Sequence, residues 1–138
     1  MGVIAKNKNK ITLFYSSENS IGKQTYAYVT PSEERILAID VSKTKVTGTQ
    51  WAEIASNLDI SIGDLINQEH ADFIEEYGTE KVDLDEHDWL RILEKKPSVL
   101  AFPIVIKGDF FLVIKSPSDY VKFIENDSAG IDKPYKKG

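Results

Sequence analysis

The residues best placed for chemistry lie in one short turn, within the stretch FYSSENSIGKQ that begins at Phe14. This turn joins an apolar run to a segment with helical spacing, and a helix N-terminus presents free N–H groups with partial positive charge. Ser17, Asn19, Ser20 and Lys23 are therefore candidates for binding an anion such as a phosphate or a carboxylate. The alternative is that Ser17 or Asn19 only caps the helix and that Lys23 is solvated.

No side chain in this turn is an evident nucleophile. The sequence contains no cysteine, which excludes disulfides, thiolate catalysis and cysteine-based metal sites. An asparagine amide is not nucleophilic, and no base lies near Ser17 or Ser20 in the sequence to activate a hydroxyl. We therefore predict no catalytic residue, and the balance is against an enzyme.

The two histidines are the remaining candidates for chemistry. His70 and His87 both have acidic neighbours, and imidazole and carboxylate groups can ligate divalent ions. Their spacing matches no metal-binding motif, and Glu86 and Asp88 suit the start of a helix on electrostatic grounds alone. We predict no metal site.

Composition narrows the class of protein. The chain has 138 residues and a net charge of -5, which disfavours direct nucleic-acid binding because contacts with phosphates require clustered cations. Lysines cluster only near the two termini. No apolar run reaches membrane-spanning length, and the first residues lack the apolar core of a signal peptide. We expect a monomer in the cytoplasm, without membrane contact.

The elements that position the turn form a βαβ unit. Ile11–Tyr15 is predicted as a first strand and Arg35–Val41 as a second, apolar enough to be buried on both faces. Between them a helix is predicted up to Pro31, with apolar residues near helical spacing at Ile21, Ala27, Tyr28 and Val29. A strand, a helix and a strand in this order favour a parallel pair of strands.

The middle of the chain reads as helical throughout. Thr47–Gln50 resembles a capping box, and Trp51, Ile54, Ala55 and Leu58 follow on one helical face. Short helical turns are predicted around SIGDLIN and around EHADFIEEYG, which Gly78 ends. Asp85 is predicted to cap a further helix with Trp89, Ile92 and Leu93 on its apolar face, ending at Lys95, Lys96 and Pro97. Both tryptophans are expected in the core.

The last third predicts a hairpin and a helix. Phe102–Ile106 and Phe110–Ile114 flank Lys107–Asp109, which is a β-hairpin signal. Ser116-Pro-Ser-Asp119 then opens a last helix. Pro103 begins a predicted core strand, so we expect a cis Phe102–Pro103 bond beside the first turn, with a trans proline at the strand start as the alternative.

Together the elements predict an α/β protein with the thioredoxin-like plan. A mixed four-stranded sheet in the order β-α-β, then β-β-α, would carry a helical insertion at about 47–97. We expect a flexible N-terminal arm over 1–9, one domain over 10–126 and a flexible C-terminal tail over 127–138.

Four ordered segments resemble the glutaredoxin-type arsenate reductase and Spx family. They are ITLFYSSENSIGKQTYAYV, TGTQWAEIASNLDISIGDLIN, VLAFPIVIKG and VIKSPSDYVKFI, and the match runs through roughly residues 10–125. In that family the strand-to-helix turn carries a nucleophilic cysteine, with a second cysteine three residues later in Spx-like members. A cis proline opens the third strand.

Carried over residue by residue, the resemblance implies a disabled site. The nucleophile corresponds to Asn19 and the second cysteine to Gly22, while Lys23 takes the place of a basic residue. The oxyanion-binding arginines correspond to the residues Asn67, Phe102 and Lys115. Of these only Lys115 keeps a charge, without the bidentate fork that suits an oxyanion.

The resemblance therefore implies a binding or regulatory module without redox activity, acting on an unidentified protein partner. The alternative is a residual glutathione- or oxyanion-binding protein with transferase-type activity, and glutathione is the one candidate cofactor. The pocket residues would be Ser17, Asn19, Ser20, Lys23, Asn67, Phe102, Pro103 and Lys115. Phe102 would give the pocket an aromatic rim, although core packing is an equal alternative for this side chain.

Overall fold

A four-stranded mixed sheet organises the protein. A computed structural model describes residues 10–32 and 36–121, and the strands are β1 (Ile11–Tyr15), β2 (Ile36–Asp40), β3 (Ile104–Lys107) and β4 (Phe110–Val113). Their order in the sheet is β2-β1-β3-β4. β1 runs parallel to β2 and antiparallel to β3, and β3 and β4 form an antiparallel hairpin. The predicted thioredoxin-like sheet is confirmed.

Four helices are arranged around this sheet. α1 (Ser20–Val29) connects the two parallel strands, whereas α2 (Gly48–Leu58), α3 (Ala71–Tyr77) and α4 (Glu86–Lys95) form the insertion between β2 and β3. Short 3₁₀ turns occur at Thr30–Ser32, Ile62–Leu65 and Pro97–Val99. A further helix starts within the predicted SPSD segment and is described over 118–121.

Local signals account for the ends of the inserted helices. Thr47 and Gln50 form the predicted capping box on α2. Asp85 caps α4 by accepting a hydrogen bond from the Asp88 N–H, and Gly78 ends α3 with a positive φ of 84°. These contacts involve residues within three positions of one another, so short sequence patterns were sufficient to predict them.

Two apolar clusters cover the two faces of the sheet. One contains α1-side residues such as Leu13, Val29 and Val105. The other joins Phe14 and Ile104 to the inserted helices and includes both tryptophans. Trp51 is 0% exposed and Trp89 is 7% exposed, which confirms their place in the core.

The prediction that β2 is buried on both faces was wrong. β2 lies at an edge of the sheet, and Leu37 is 45% exposed. The apolar run ILAID has the composition of a central strand. Its place at the edge follows only from the strand order, and among the described residues no strand pairs with its outer edge. On α1 the buried residues are Gly22, Thr25 and Val29, whereas Ala27 and Tyr28 of the predicted apolar set are exposed.

The expected cis proline is also corrected. The described residues contain no cis peptide bond, so the Phe102–Pro103 bond is trans. Pro103 is buried immediately before β3, and its carbonyl accepts a hydrogen bond from the Ile114 N–H at 2.8 Å. Since the missing N–H falls just outside the strand, the intrinsically favoured trans form satisfies this position.

Some predictions fall outside the described residues. These are the N-terminal arm (1–9), the start of the second predicted strand at Arg35, most of the last helix and the C-terminal tail (127–138). The limits of the predicted domain stay predictions. Over the ranges that the structure describes, no helix is long and apolar enough to cross a membrane.

Candidate functional site

Asn19 stands at the N-terminus of α1 and makes two hydrogen bonds with opposite ends of its amide. Its Oδ1 accepts from the Gly22 N–H at 2.6 Å, which caps the helix. Its Nδ2 donates to the Leu100 carbonyl at 3.1 Å. Of the two predicted caps, Ser17 and Asn19, the structure selects Asn19. Its amide also ties the turn to the segment that leads into β3.

Asp40 is a site residue that the sequence reading missed. It is the last residue of β2, and its Oδ1 accepts from the Ser17 N–H at 3.1 Å, the Ser42 N–H at 3.1 Å and the Ser42 hydroxyl at 2.7 Å. The hydroxyls of Ser17 and Ser42 lie 3.3 Å apart. Because β1 and β2 are parallel, their carboxyl ends meet at one edge of the sheet, and an acidic residue ending the second strand was the available signal.

These contacts keep the Asp40 carboxylate charged. Burial alone would raise its pKa, but the hydrogen bonds from Ser17 and Ser42 outweigh that effect and lower the pKa of Asp40 below its usual value. Tyr15 is the register partner of Asp40 across the two strands. The pKa of Tyr15 is raised by burial, then by the negative charge of Asp40 and by Tyr26, whose ring stacks on it with centroids 4.8 Å apart.

The backbone of the turn is largely occupied by internal hydrogen bonds. Ser16 accepts from the N–H groups of Glu18 and Asn19, the latter at a long 3.4 Å, and the Asn19 carbonyl accepts from Lys23. Within residues 10–32 and 36–121, the N–H groups of Ser20 and Ile21 are the ones at this helix end without a hydrogen-bond partner. Little of the predicted anion-binding capacity of the turn is left for a ligand.

Gly22 leaves no room for a side chain at the position that corresponds to the second cysteine. A Cβ atom added there would lie 2.0 Å from the Ser16 carbonyl oxygen and 2.7 Å from Asn19 Oδ1. The first contact is with backbone, so it cannot be relieved by rotating a side chain. The compact turn therefore excludes a Cys at this position as long as its backbone keeps this shape.

The other predicted pocket residues lie together on a second surface. Asn67 and Phe102 both line a groove of about 820 Å³, between the first 3₁₀ segment of the insertion and the chain before β3. The Lys115 ammonium lies 5.9 Å from the centroid of the Phe102 ring, within range of a cation–π contact. Phe102 is partly exposed, so its ring is neither buried in the core nor fully accessible to a partner.

Backbone pairing holds this groove in place. Asn67 donates its N–H to the Val99 carbonyl at 2.8 Å, and Ala101 donates to the Leu65 carbonyl at 2.7 Å. These bonds surround an isolated antiparallel bridge between Ile66 and Leu100. The neighbours of Leu100, Val99 and Ala101, are thus bonded to the groove segment, and the Leu100 carbonyl is bonded to Asn19, which connects the two surfaces.

The remaining candidate residues, two at the start of α1 and the two histidines, lie outside both groups of site contacts. Lys23 and Ser20 are exposed at the start of α1. His70 caps α3, where its Nδ1 accepts from the Asp72 N–H at 3.0 Å, and His87 is exposed. In the described part of the chain, no three acidic or histidine side chains are grouped to hold a metal ion.

Comparisons with known proteins agree on the fold. No family model and no curated protein matches the sequence. Among solved structures, a candidate arsenate reductase from Yersinia pestis superposes with a TM-score of 0.69 at 15% identity, covering 82% of this chain and 99% of that one. An arsenate reductase from Vibrio cholerae superposes with a TM-score of 0.69 at 11% identity, covering 82% and 96%.

A third solved structure with a similar fold is described as related to the arsenate reductases, not as an arsenate reductase itself. The arsenate reductase-related protein from Brucella melitensis gives a TM-score of 0.58 at 11% identity, covering 84% of this chain and 95% of that one. At these identities the likeness concerns the fold. The resemblance read from the sequence is confirmed at that level: this cysteine-free chain has the thioredoxin-like fold of the arsenate reductases.

Proposed function

We propose that the protein is a non-catalytic binding or regulatory module built on the arsenate reductase and Spx type of thioredoxin-like fold. It binds a protein partner through the groove beside Phe102, and it performs no thiol chemistry. The expectations of a monomer and of a cytoplasmic location belong to the same proposal.

The observation that carries this proposal is the double hydrogen bond of Asn19. At the position that corresponds to the nucleophile, the side chain caps α1 and holds the Leu100 carbonyl, so both of its polar atoms are engaged in maintaining the fold. A catalytic group must be free to contact a substrate. Together with the absence of cysteine from all 138 residues, this favours a structural role for the turn.

The proposed contact surface is centred on Phe102. A partly exposed aromatic ring beside a groove of about 820 Å³ is the kind of feature that anchors a partner, because aromatic side chains contribute strongly to interfaces. Lys115 lies over the ring and adds a donor at its rim. Asn67, which also lines the groove, has an uncharged side-chain amide whose oxygen accepts from the Glu69 N–H, so its NH₂ group is the part that can donate to a partner.

The alternative, residual binding of glutathione or an oxyanion with transferase-type activity, has less support. It requires free N–H groups and cations at the turn. Most of those N–H groups have internal partners, and Asp40 places a negative charge beside them. Lys115, the remaining cation of the predicted oxyanion site, is positioned at Phe102 instead.

The proposal is tested by site-specific photocrosslinking in the cells that express the protein. A crosslinking phenylalanine analogue replaces either Phe102 or Tyr28, an aromatic residue on α1 that is 46% exposed and serves as the matched control. We expect one recurrent protein adduct from position 102 that position 28 does not give, and that Asn67→Ala weakens. Identical adducts at both positions, or none at position 102, would contradict the proposed surface.

A parallel assay measures arsenate reduction by the unmodified protein with glutathione and glutaredoxin. We expect the rate to equal that of the protein-free reaction. Activity above this blank would overturn the non-catalytic part of the proposal, whatever the crosslinking result.

A further inference from the structure

Asp40 occupies the position from which an external anion would be held at the β1–α1 turn. Its carboxylate oxygen accepts hydrogen bonds from the Ser17 N–H, the Ser42 N–H and the Ser42 hydroxyl, all within 3.1 Å. Three converging donors of this kind form a small anion-binding concavity. In this chain the anion is part of the protein.

Over residues 10–32 and 36–121, no lysine, arginine or histidine side chain lies within ion-pair distance of the carboxylate of this internal anion. The side chain across the strand pair from Asp40 is Tyr15, a neutral phenol whose own ionisation Asp40 disfavours. Asp40 therefore places a negative charge without an ion-pair partner among the described residues beside the turn.

We propose that Asp40 determines which ligands the turn accepts, by excluding oxyanions and carboxylates and admitting only neutral or cationic groups. The carboxylate occupies the Ser17 N–H and the two Ser42 donors, and its charge repels, at short range, an anion that approaches the N–H groups at the start of α1. The inference narrows the proposed function, because a partner that reaches from the groove to the turn must present a neutral or basic group there.

The first test compares anion binding by the wild type and by Asp40→Asn, which keeps the size of the side chain and removes its charge. Phosphate, sulfate and arsenate are titrated at constant ionic strength, and binding is followed by thermal shift and by amide NMR shifts of Ser17 and Ser42. We expect no saturable response in the wild type. In Asp40→Asn we expect phosphate affinity to rise by about tenfold or more, since a nearby like charge is removed.

Asp109→Asn is the control for net charge alone. Asp109 is exposed in the β3–β4 turn. This turn lies at the end of the sheet opposite Ser17, because Lys107 pairs with Ile11 at the start of β1. We expect Asp109→Asn to behave as the wild type. An equal gain of phosphate affinity in Asp109→Asn would overturn the inference, as would saturable phosphate binding by the wild type that Asp40→Asn does not strengthen.

Asp40→Ala provides a second and independent test. This variant leaves the three donors without their acceptor and opens a small space, so we expect a lower melting temperature that formate or acetate restores in a saturable way. The wild type should show no such response. A folded Asp40→Ala protein whose melting temperature does not change with formate or acetate would contradict the inference. The crosslinking result at Phe102 would still decide the proposed binding function separately.

Discussion

The Asn19 side-chain amide donates to the Leu100 carbonyl at 3.1 Å, across a sequence separation of 81 residues. The bond links the start of α1 to the chain that enters β3, and Leu100 also pairs with Ile66 in the inserted segment. One asparagine thus joins the βαβ unit to the segment between the insertion and β3. A cysteine at this position could provide neither the amide donor nor a comparable cap acceptor.

We predict that Asn19→Ala lowers the free energy of unfolding by about 2 kcal/mol, the sum expected for a lost N-cap and a lost partly buried hydrogen bond. Urea denaturation, monitored by tryptophan fluorescence, measures this change in the free energy of unfolding. Asn57→Ala is the control, because the Asn57 amide donates only to the Glu53 carbonyl one turn earlier in α2. A loss at Asn19 no larger than that at Asn57 would mean that the contact with Leu100 contributes nothing.

Gly22→Ala should be destabilising, against the usual effect of this substitution within a helix. Alanine is favoured over glycine by helix propensity, but a Cβ atom here would meet the Ser16 carbonyl oxygen at 2.0 Å. We expect a loss of about 1–3 kcal/mol, the range typical of overpacking. Differential scanning calorimetry of the wild type and of Gly22→Ala shows whether the substitution lowers or raises stability.

Gly48→Ala serves as the comparison for Gly22→Ala. The nearest obstacle at Gly48 is the end of the flexible Glu94 side chain, at 3.0 Å. We therefore expect a smaller loss than at Gly22. An increase in stability for Gly22→Ala would show that the turn can relax, and that a second cysteine at this position is sterically possible.

Asp40 should make part of the stability depend on pH in the acidic range. Its folded pKa is lowered, so its stabilising contribution is fully present above the ordinary aspartate pKa of about 3.9 and is lost as the pH falls through the folded value. We predict that the stability difference between the wild type and Asp40→Asn is largest near neutral pH and shrinks on acidification. Urea titrations from pH 7 downwards measure it, and a constant difference would contradict the prediction.

Asn19→Cys restores a thiol at the nucleophile position without restoring the reductase. We expect the new thiol to react with iodoacetamide, since it would lie partly exposed at a helix N-terminus. We expect no arsenate reduction with glutathione and glutaredoxin, because Asn67, Phe102 and Lys115 replace the arginines that the resemblance places there, and Asp40 repels the oxyanion. Arsenate turnover above that of the cysteine-free parent would show that the lost cysteine alone accounts for inactivity.

Much of the fold could be predicted from the sequence because its determinants are local. The capping box of Thr47 and Gln50, the Asp85 cap and the hairpin turn at Lys107–Asp109 each involve residues a few positions apart. Hydrophobic periodicity placed Trp51 and Trp89 in the core for the same reason. The order of strands and helices then left few topologies compatible with a βαβ start and a terminal hairpin.

The site was predicted less completely, because its decisive contacts join distant segments. The sequence identified Asn19 as a candidate cap but not as a partner of Leu100, and it did not bring Asp40 to Ser17. Both contacts depend on strand order and register, which pair Tyr15 with Asp40 and Phe14 with Ile104. The same strand order exposed Leu37, although its apolar neighbours favoured burial.

The sequence by itself therefore determined the succession of elements, the loss of thiol chemistry and the position where that chemistry is missing. The tertiary structure decided how the turn is used: Asn19 ties α1 to the segment before β3, Gly22 brings the helix against the Ser16 carbonyl, and Asp40 supplies an internal anion. Residue types limit which reactions are available to a chain. Whether a polar group faces a ligand or is satisfied internally depends on which distant backbone atoms the fold places within hydrogen-bond distance.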